Sequence, residues 1–70
     1  MTSQKDYVAA AARAINHEII IARRYNREET ESALHNVAID LARYFGENNA
    51  RFDRYKFFNA CGINLDQVSM

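Results

Sequence analysis

The chain has 70 residues, 49% of them hydrophobic and 26% charged, and its nine basic residues balance nine acidic ones. This length allows one domain, and the composition excludes a disordered chain. A net charge of zero excludes a global attraction for nucleic acid or an anionic membrane, so such a role must rest on a local patch.

The cysteine count and the apolar runs exclude further classes. A single cysteine cannot form an internal disulfide. Residues 1–6 are polar and lack the basic and apolar regions of a signal peptide. The longest apolar runs, residues 7–12 and 19–22, are far too short to span a membrane. We therefore expect a cytoplasmic protein.

An amphipathic helix is predicted over residues 4–25. Ser3 and Asp6 have the form of a capping box at its start. Apolar residues recur in steps of four, three, four and three, which places them on one helix face. The three isoleucines at 19–21 also fit a short strand, but the surrounding period favours a helix. The members of this stripe are Val8, Ala12, Ile15, Ile19 and Ala22.

A second helix is predicted over residues 27–45. Asn26 followed three residues later by Glu29 matches a capping box, so Asn26 is expected to cap this helix. Gly46 is expected to end it in a left-handed conformation. Its apolar positions are Leu34, Val37, Ala38, Leu41 and Phe45.

The corner between these two helices interleaves arginine with glutamate. Spacing of four residues predicts the ion pairs Arg24–Glu28 and Arg27–Glu31. Because the charges offset one another locally, we interpret the corner as a mixed-charge surface and not as a basic patch.

A short third helix is predicted over residues 54–61, after a loop. Asp53 is expected to cap it, and Phe52 to pack against its first turn as a hydrophobic staple. Gly62 is expected to end the helix, and residues 66–70 to form a loose tail. The predicted inner face consists of Tyr55, Phe58 and Cys61.

These elements predict an all-α fold. Two long helices form an antiparallel hairpin, and the short third helix packs across one end of it. This three-helix mini-domain occupies residues 1–70, and it buries the apolar stripes of all three helices.

The C-terminal third carries a specific pattern. Residues 49–62 read Asn-x-Arg-Phe-Asp-x4-Phe-x-Ala-Cys-Gly. Residues 40–62 resemble a signature of small helical proteins of actinobacteria and actinobacteriophages. The resemblance implies such an origin and implies no mechanism. Ala50 stands where those proteins usually have proline, so the resemblance implies a less rigid loop here.

No catalytic or metal-binding constellation is present. Pairs of acidic residues occur, but no histidine, serine or lysine accompanies them in a pattern typical of a catalytic pocket. His17, His35 and Cys61 lack the short ligand spacings of zinc sites. We read Cys61 as structural, because a helix C-terminus opposes a thiolate. The sequence therefore predicts no enzyme, no metal and no cofactor.

Apolar side chains outside the predicted stripes say more about function than the titratable residues do. So small a body cannot bury all of them, and exposed apolar patches usually mark contacts, although scattered single exposures are also normal. We therefore predict a non-catalytic protein-binding module that first associates with itself, as a homodimer, and then engages a host or phage protein. The predicted interface residues are Ile20, Ile21, Tyr25, Ile39 and Tyr44, and Phe57 is a further surplus residue.

A compact DNA-binding regulator is the alternative. Residues 42–58 match the helix-turn-helix spacing around Gly46, and their basic and aromatic side chains suit nucleic acid. Against this, the loop is longer than the usual turn, and Asp53 would repel phosphate. The predicted contacts are Arg51, Arg54 and Lys56.

Overall fold

Three α-helices make up the fold in the computed structural model, which describes residues 4–63, with side chains from residue 6 onward. Helix α1 spans Gln4–Arg24, α2 spans Glu28–Asn48 and α3 spans Arg54–Cys61. The two long helices form the hairpin, and α3 contacts both of them. This confirms the predicted all-α fold. The Ser3 cap and the 66–70 tail lie outside the described residues.

The stripe predicted for α1 forms the centre of the core. Ile19 has no exposed surface, and Ala12, Ile15 and Ala22 are also buried, while Val8 is half-buried against them. The isoleucine triplet is helical throughout. The predicted period of this helix is therefore confirmed.

Four phenylalanines fill the end of the hairpin where α3 begins. The ring of Phe45 lies 5.6 Å from that of Phe52 and 5.7 Å from that of Phe57, and Phe57 lies 5.9 Å from Phe58. Aromatic pairs at such distances contribute about 0.5–1.5 kcal/mol each beyond the area that they bury. This cluster holds α3 on the hairpin.

The corner between α1 and α2 differs from the prediction. Asn26 does not cap α2 but ends α1, in a left-handed conformation with a φ of 55°. The amide of Arg27 donates to the carbonyl of Ala22 at 2.8 Å, and the amide of Asn26 donates to that of Arg23 at 3.3 Å. These two bonds form a Schellman motif, in which asparagine tolerates the left-handed position. Arg27 then takes the N-cap position of α2 without a side-chain bond.

Helix α2 runs past Gly46, so the predicted end at residue 45 is wrong. The helix continues to Asn48, whose side-chain amide donates to the carbonyl of Tyr44 at 2.8 Å. That bond adds a side-chain donor to a carbonyl near the last turn of the helix. Gly46 is thus an interior residue of the helix, beside the ring of Phe52.

The inner face of α3 is also corrected. Phe57 is 2% exposed, although it was expected outside the core, and Tyr55 is 61% exposed, although it was expected inside. The two residues leave the helix about 200° apart, so only one of them can face inward. The staple decides which, because Phe52 packs its ring 5.8 Å from that of Phe57. The predicted cap is confirmed: Asp53 accepts bonds from the amides of Tyr55 and Lys56.

The ion pairs at the corner are not the predicted ones. Arg23 Nε donates to Glu31 Oε2 at 2.8 Å, and neither predicted arginine pairs with a carboxylate among residues 4–63. The same guanidinium donates to the carbonyl of Gly62 at 3.2 Å. Arg23 therefore links all three helices, because its length lets it span the hairpin from α1.

Candidate functional site

Helix α3 covers only one side of the hairpin. It forms one groove with α1, lined on that helix by Ala9 and Ala12, and a second groove with α2, lined there by Ala42 and Gly46. Residues two positions apart leave a helix about 200° apart, nearly on opposite sides. These four residues face the grooves beside α3. Residues two positions before or after them therefore point to the other side of the hairpin, which α3 leaves uncovered.

On α1 that uncovered side carries a second apolar stripe. Starting from Tyr7, steps of four and three lead to Ala11 and Ala14, and the same period continues to Ile21 and Tyr25. The two tyrosines are each 60% exposed, Ala14 is exposed, and Ala11 and Ile21 are half-buried. Glu18 is the charged member of this stripe, and it lies 3.1 Å from the ring nitrogen of His17.

Helix α2 contributes a matching stripe. Leu34, Val37, Leu41 and Tyr44 follow one another in steps of three, four and three. Val37 is 46% and Tyr44 60% exposed, whereas the two leucines are half-buried beside the core. The prediction that Val37 belongs to the core stripe is thus wrong. We call the two stripes together, Tyr7 to Tyr25 on α1 and Leu34 to Tyr44 on α2, the open hairpin face.

The open hairpin face belongs to a flat molecule, whose principal extents are 37 × 30 × 15 Å. Half-buried leucines in the middle and tyrosines at the ends give the surface an apolar centre with polar tips at its margin. That composition resembles the core and rim of protein interfaces, where tyrosine is enriched.

The five predicted interface residues do not form one surface. Tyr25, Tyr44 and the half-buried Ile21 lie on the open hairpin face. Ile20 is exposed but leaves α1 about 100° from Ile21, and Ile39 leaves α2 about 200° from Val37. These two isoleucines lie on the flanks that face towards α3. The sequence interpretation missed Tyr7, Val37 and Leu41, which the period of four and three from Tyr7 and Leu34 would have found.

The three predicted nucleic-acid contacts are exposed but divided between two grooves. Arg51 and Lys56 line the groove between α1 and α3, whereas Arg54 lines the groove between α2 and α3. Arg54 and Lys56 leave α3 about 200° apart, and Arg54 instead lies over the ring of Tyr55. Asp53 lines both grooves. The three basic side chains therefore present no single basic face.

The titratable residues considered for chemistry stay apart. Cys61 is fully buried, and desolvation raises the pKa of its thiol to about 11. His17 is exposed, while His35 is half-buried with Nε2 3.6 Å from a carboxylate oxygen of Glu31. Within residues 4–63, no three histidine, cysteine or acidic side chains come together as a metal site. None of the described helices has the length and hydropathy to cross a membrane.

Comparison with known proteins finds no matching family model, no matching curated protein and no matching solved structure. The resemblance of residues 40–62 to actinobacterial and phage proteins therefore stays a prediction. Within that stretch, Phe52, Phe58 and Cys61 pack in or against the core, which gives their spacing a structural role.

Proposed function

We propose that this chain is a non-catalytic protein-binding module that acts through the open hairpin face. The observation that carries the proposal is the collection of exposed and half-buried apolar side chains on the one side that α3 leaves uncovered. Monomeric soluble proteins rarely expose a large contiguous apolar patch, and such patches usually mark contacts. Stripes at helical spacing on two adjacent helices suit a helical partner.

A second copy of the chain is the first partner to test, and a host or phage protein is the second. Pairing two copies through their open faces would bury both apolar stripes in a four-helix arrangement. The resemblance of residues 40–62 supports an actinobacterial or phage origin. A cytoplasmic location fits the single free cysteine.

Sedimentation velocity over a range of concentrations tests the proposal. Val37 and Tyr44 are exposed, so Val37→Lys and Tyr44→Lys leave the core intact and place charges on the open hairpin face. We expect each to weaken self-association, or capture of a host protein, at least about tenfold, because buried unpaired charges oppose binding.

Ile20→Lys is the matched control, since Ile20 is 51% exposed but lies on another side of α1. It should associate like the unsubstituted protein. A chain that stays monomeric at all concentrations and retains no protein, or an Ile20→Lys variant as defective as Val37→Lys, would contradict the proposal.

A DNA-binding regulator built on residues 42–58 is the second candidate. The exposure of Arg51, Arg54 and Lys56 favours it, whereas their division between two grooves weighs against it. Gel shifts at low salt test this candidate, because phosphate contacts weaken steeply as salt is added. The absence of a shift with random and phage DNA would remove it.

A further inference from the structure

The groove between α1 and α3 is a second feature with the properties of a binding site. It encloses about 660 Å³ and lies on the side of the hairpin away from the open face. Its lining is mostly apolar, and the accessible apolar residues are Val8, Ala9, Phe52 and Ala60. Ala12 and Phe57 also line it, but they are only 1% and 2% exposed.

Two basic side chains, Arg51 and Lys56, line this groove. Arg51 and Lys56 are exposed, and neither forms an ion pair within residues 4–63. The one carboxylate in the lining, Asp53, is already engaged, because its Oδ1 accepts the amides of Tyr55 at 3.0 Å and Lys56 at 3.2 Å. With two cations against one carboxylate, the groove combines a mostly apolar lining with a small net positive charge.

We propose that this groove binds an acidic amphipathic helix of a partner protein. Helices dock in such grooves by laying an apolar stripe along the floor. The exposed Ala9 and Ala60 leave room for a helix to approach closely, and the half-buried Phe52 ring offers area to its apolar side chains. Carboxylates beside that stripe would meet Arg51 and Lys56, which supplies charge complementarity and orientation.

A protein segment fits this site better than a nucleic acid does. The lining is mostly apolar, so it offers few groups to the polar edges of bases. The third cation, Arg54, lies in the other groove, so no row of cations follows a phosphate backbone. The site is also separate from the open hairpin face, so it does not depend on the function proposed above.

Fluorescence anisotropy with designed helical peptides tests the proposal. The probe is a labelled amphipathic peptide with leucines on one face and glutamates flanking them, and its counterpart carries lysines in place of the glutamates. We expect the acidic peptide to bind and the basic one to fail. The double variant Arg51→Glu, Lys56→Glu should weaken binding about tenfold or more, and added salt should weaken binding to the unsubstituted protein.

Two further variants test whether binding depends on this groove and not on the charge or the stability of the whole protein. Arg54→Glu makes a charge reversal of the same kind in the neighbouring groove, and it should keep the affinity for the acidic peptide. Ala60→Phe fills the groove without changing charge, and it should lose affinity while circular dichroism shows an intact fold.

Three results would overturn the proposal. The first is no binding of the acidic peptide up to about 1 mM, the weak end of measurable affinities. The second is equal loss with Arg54→Glu. The third is binding of an oligonucleotide through Arg51 and Lys56 with no binding of the peptide, which would assign the cations to a nucleic acid. Loss of association in Val37→Lys with peptide binding retained would show that the two sites fail independently.

Discussion

The thiol of Cys61 shows how burial alone sets the chemistry of a residue. The side chain lies on the inner face of α3 with no exposed surface, and desolvation raises the pKa of the thiol from 9.0 to about 11. The folded chain therefore keeps its proton over a pH range in which the unfolded chain releases it. Such a thiol is a packing group, since the thiolate is the reactive form.

This pKa difference predicts a loss of stability in alkali. Well below pH 9.0 the thiol is protonated in both states and does not contribute to the pH dependence. Near and above pH 9.0 the thiol of the unfolded chain ionises first, so the free energy of unfolding falls as the pH rises towards about 11. The expected fall is on the order of 2 kcal/mol. Urea denaturation across this range measures it.

Cys61→Ala supplies the control for that measurement. The variant starts from a lower stability, because it loses buried contacts, but its alkaline decline should lack the contribution of the thiol. Parallel declines in the two proteins would contradict the assignment.

At the scale of the helices, the two glycines have opposite roles. Gly62 ends α3 with a φ of 85°, and a Cβ there would lie 2.4 Å from Nδ2 of Asn16, which donates to the carbonyl of Cys61 at 3.1 Å. Gly46 lies within α2, and a Cβ there would meet only a Phe52 ring carbon at 3.8 Å, an ordinary contact.

We therefore predict opposite effects for one substitution at the two sites. Gly62→Ala should destabilise the fold by about 1–3 kcal/mol, through left-handed strain and displacement of Asn16. Gly46→Ala should stabilise it by about 0.5–1 kcal/mol, because alanine loses less backbone entropy in a helix. Thermal unfolding of both variants compares them, and a tolerated Gly62→Ala would show that the end of α3 is not held in this way.

The ends of the helices also show which local signals the sequence carried. The Asp53 cap and the Phe52 staple follow from short-range patterns, and the structure confirms both. Asn26 was ambiguous, because asparagine serves both as an N-cap and as a left-handed residue after a helix. The choice depends on where the chain must turn to bring α2 against α1, which no local pattern specifies. The choice between Tyr55 and Phe57 was different, because Phe57 stands four residues after the Asp53 cap and the staple pattern itself favours it for the inner face.

At the scale of the whole molecule, the helical stripes predicted the hairpin but not its exposed side. The core stripe of α1 was predicted correctly from its period, whereas the side of the hairpin that stays open depends on where α3 packs. The prediction therefore grouped Ile20 with Ile21, although their directions on α1 differ by about 100°. Three of the five predicted interface residues lie on the open hairpin face, and whether that face binds a partner stays a prediction.

The central claim is that the open hairpin face of the single chain presents apolar side chains to water and that a partner covers them. Methyl NMR with a soluble paramagnetic probe measures this directly. In dilute protein, the probe should broaden the methyl signals of Val37 as strongly as those of Ile20, and it should leave Ile19 unaffected, since these side chains are 46%, 51% and 0% exposed.

In concentrated protein, or with a captured partner added, the Val37 signals should become protected while those of Ile20 stay broadened. Val37 methyls shielded like Ile19 in dilute protein would contradict the open face. Val37 methyls still as accessible as Ile20 under every binding condition would contradict its role as a docking surface.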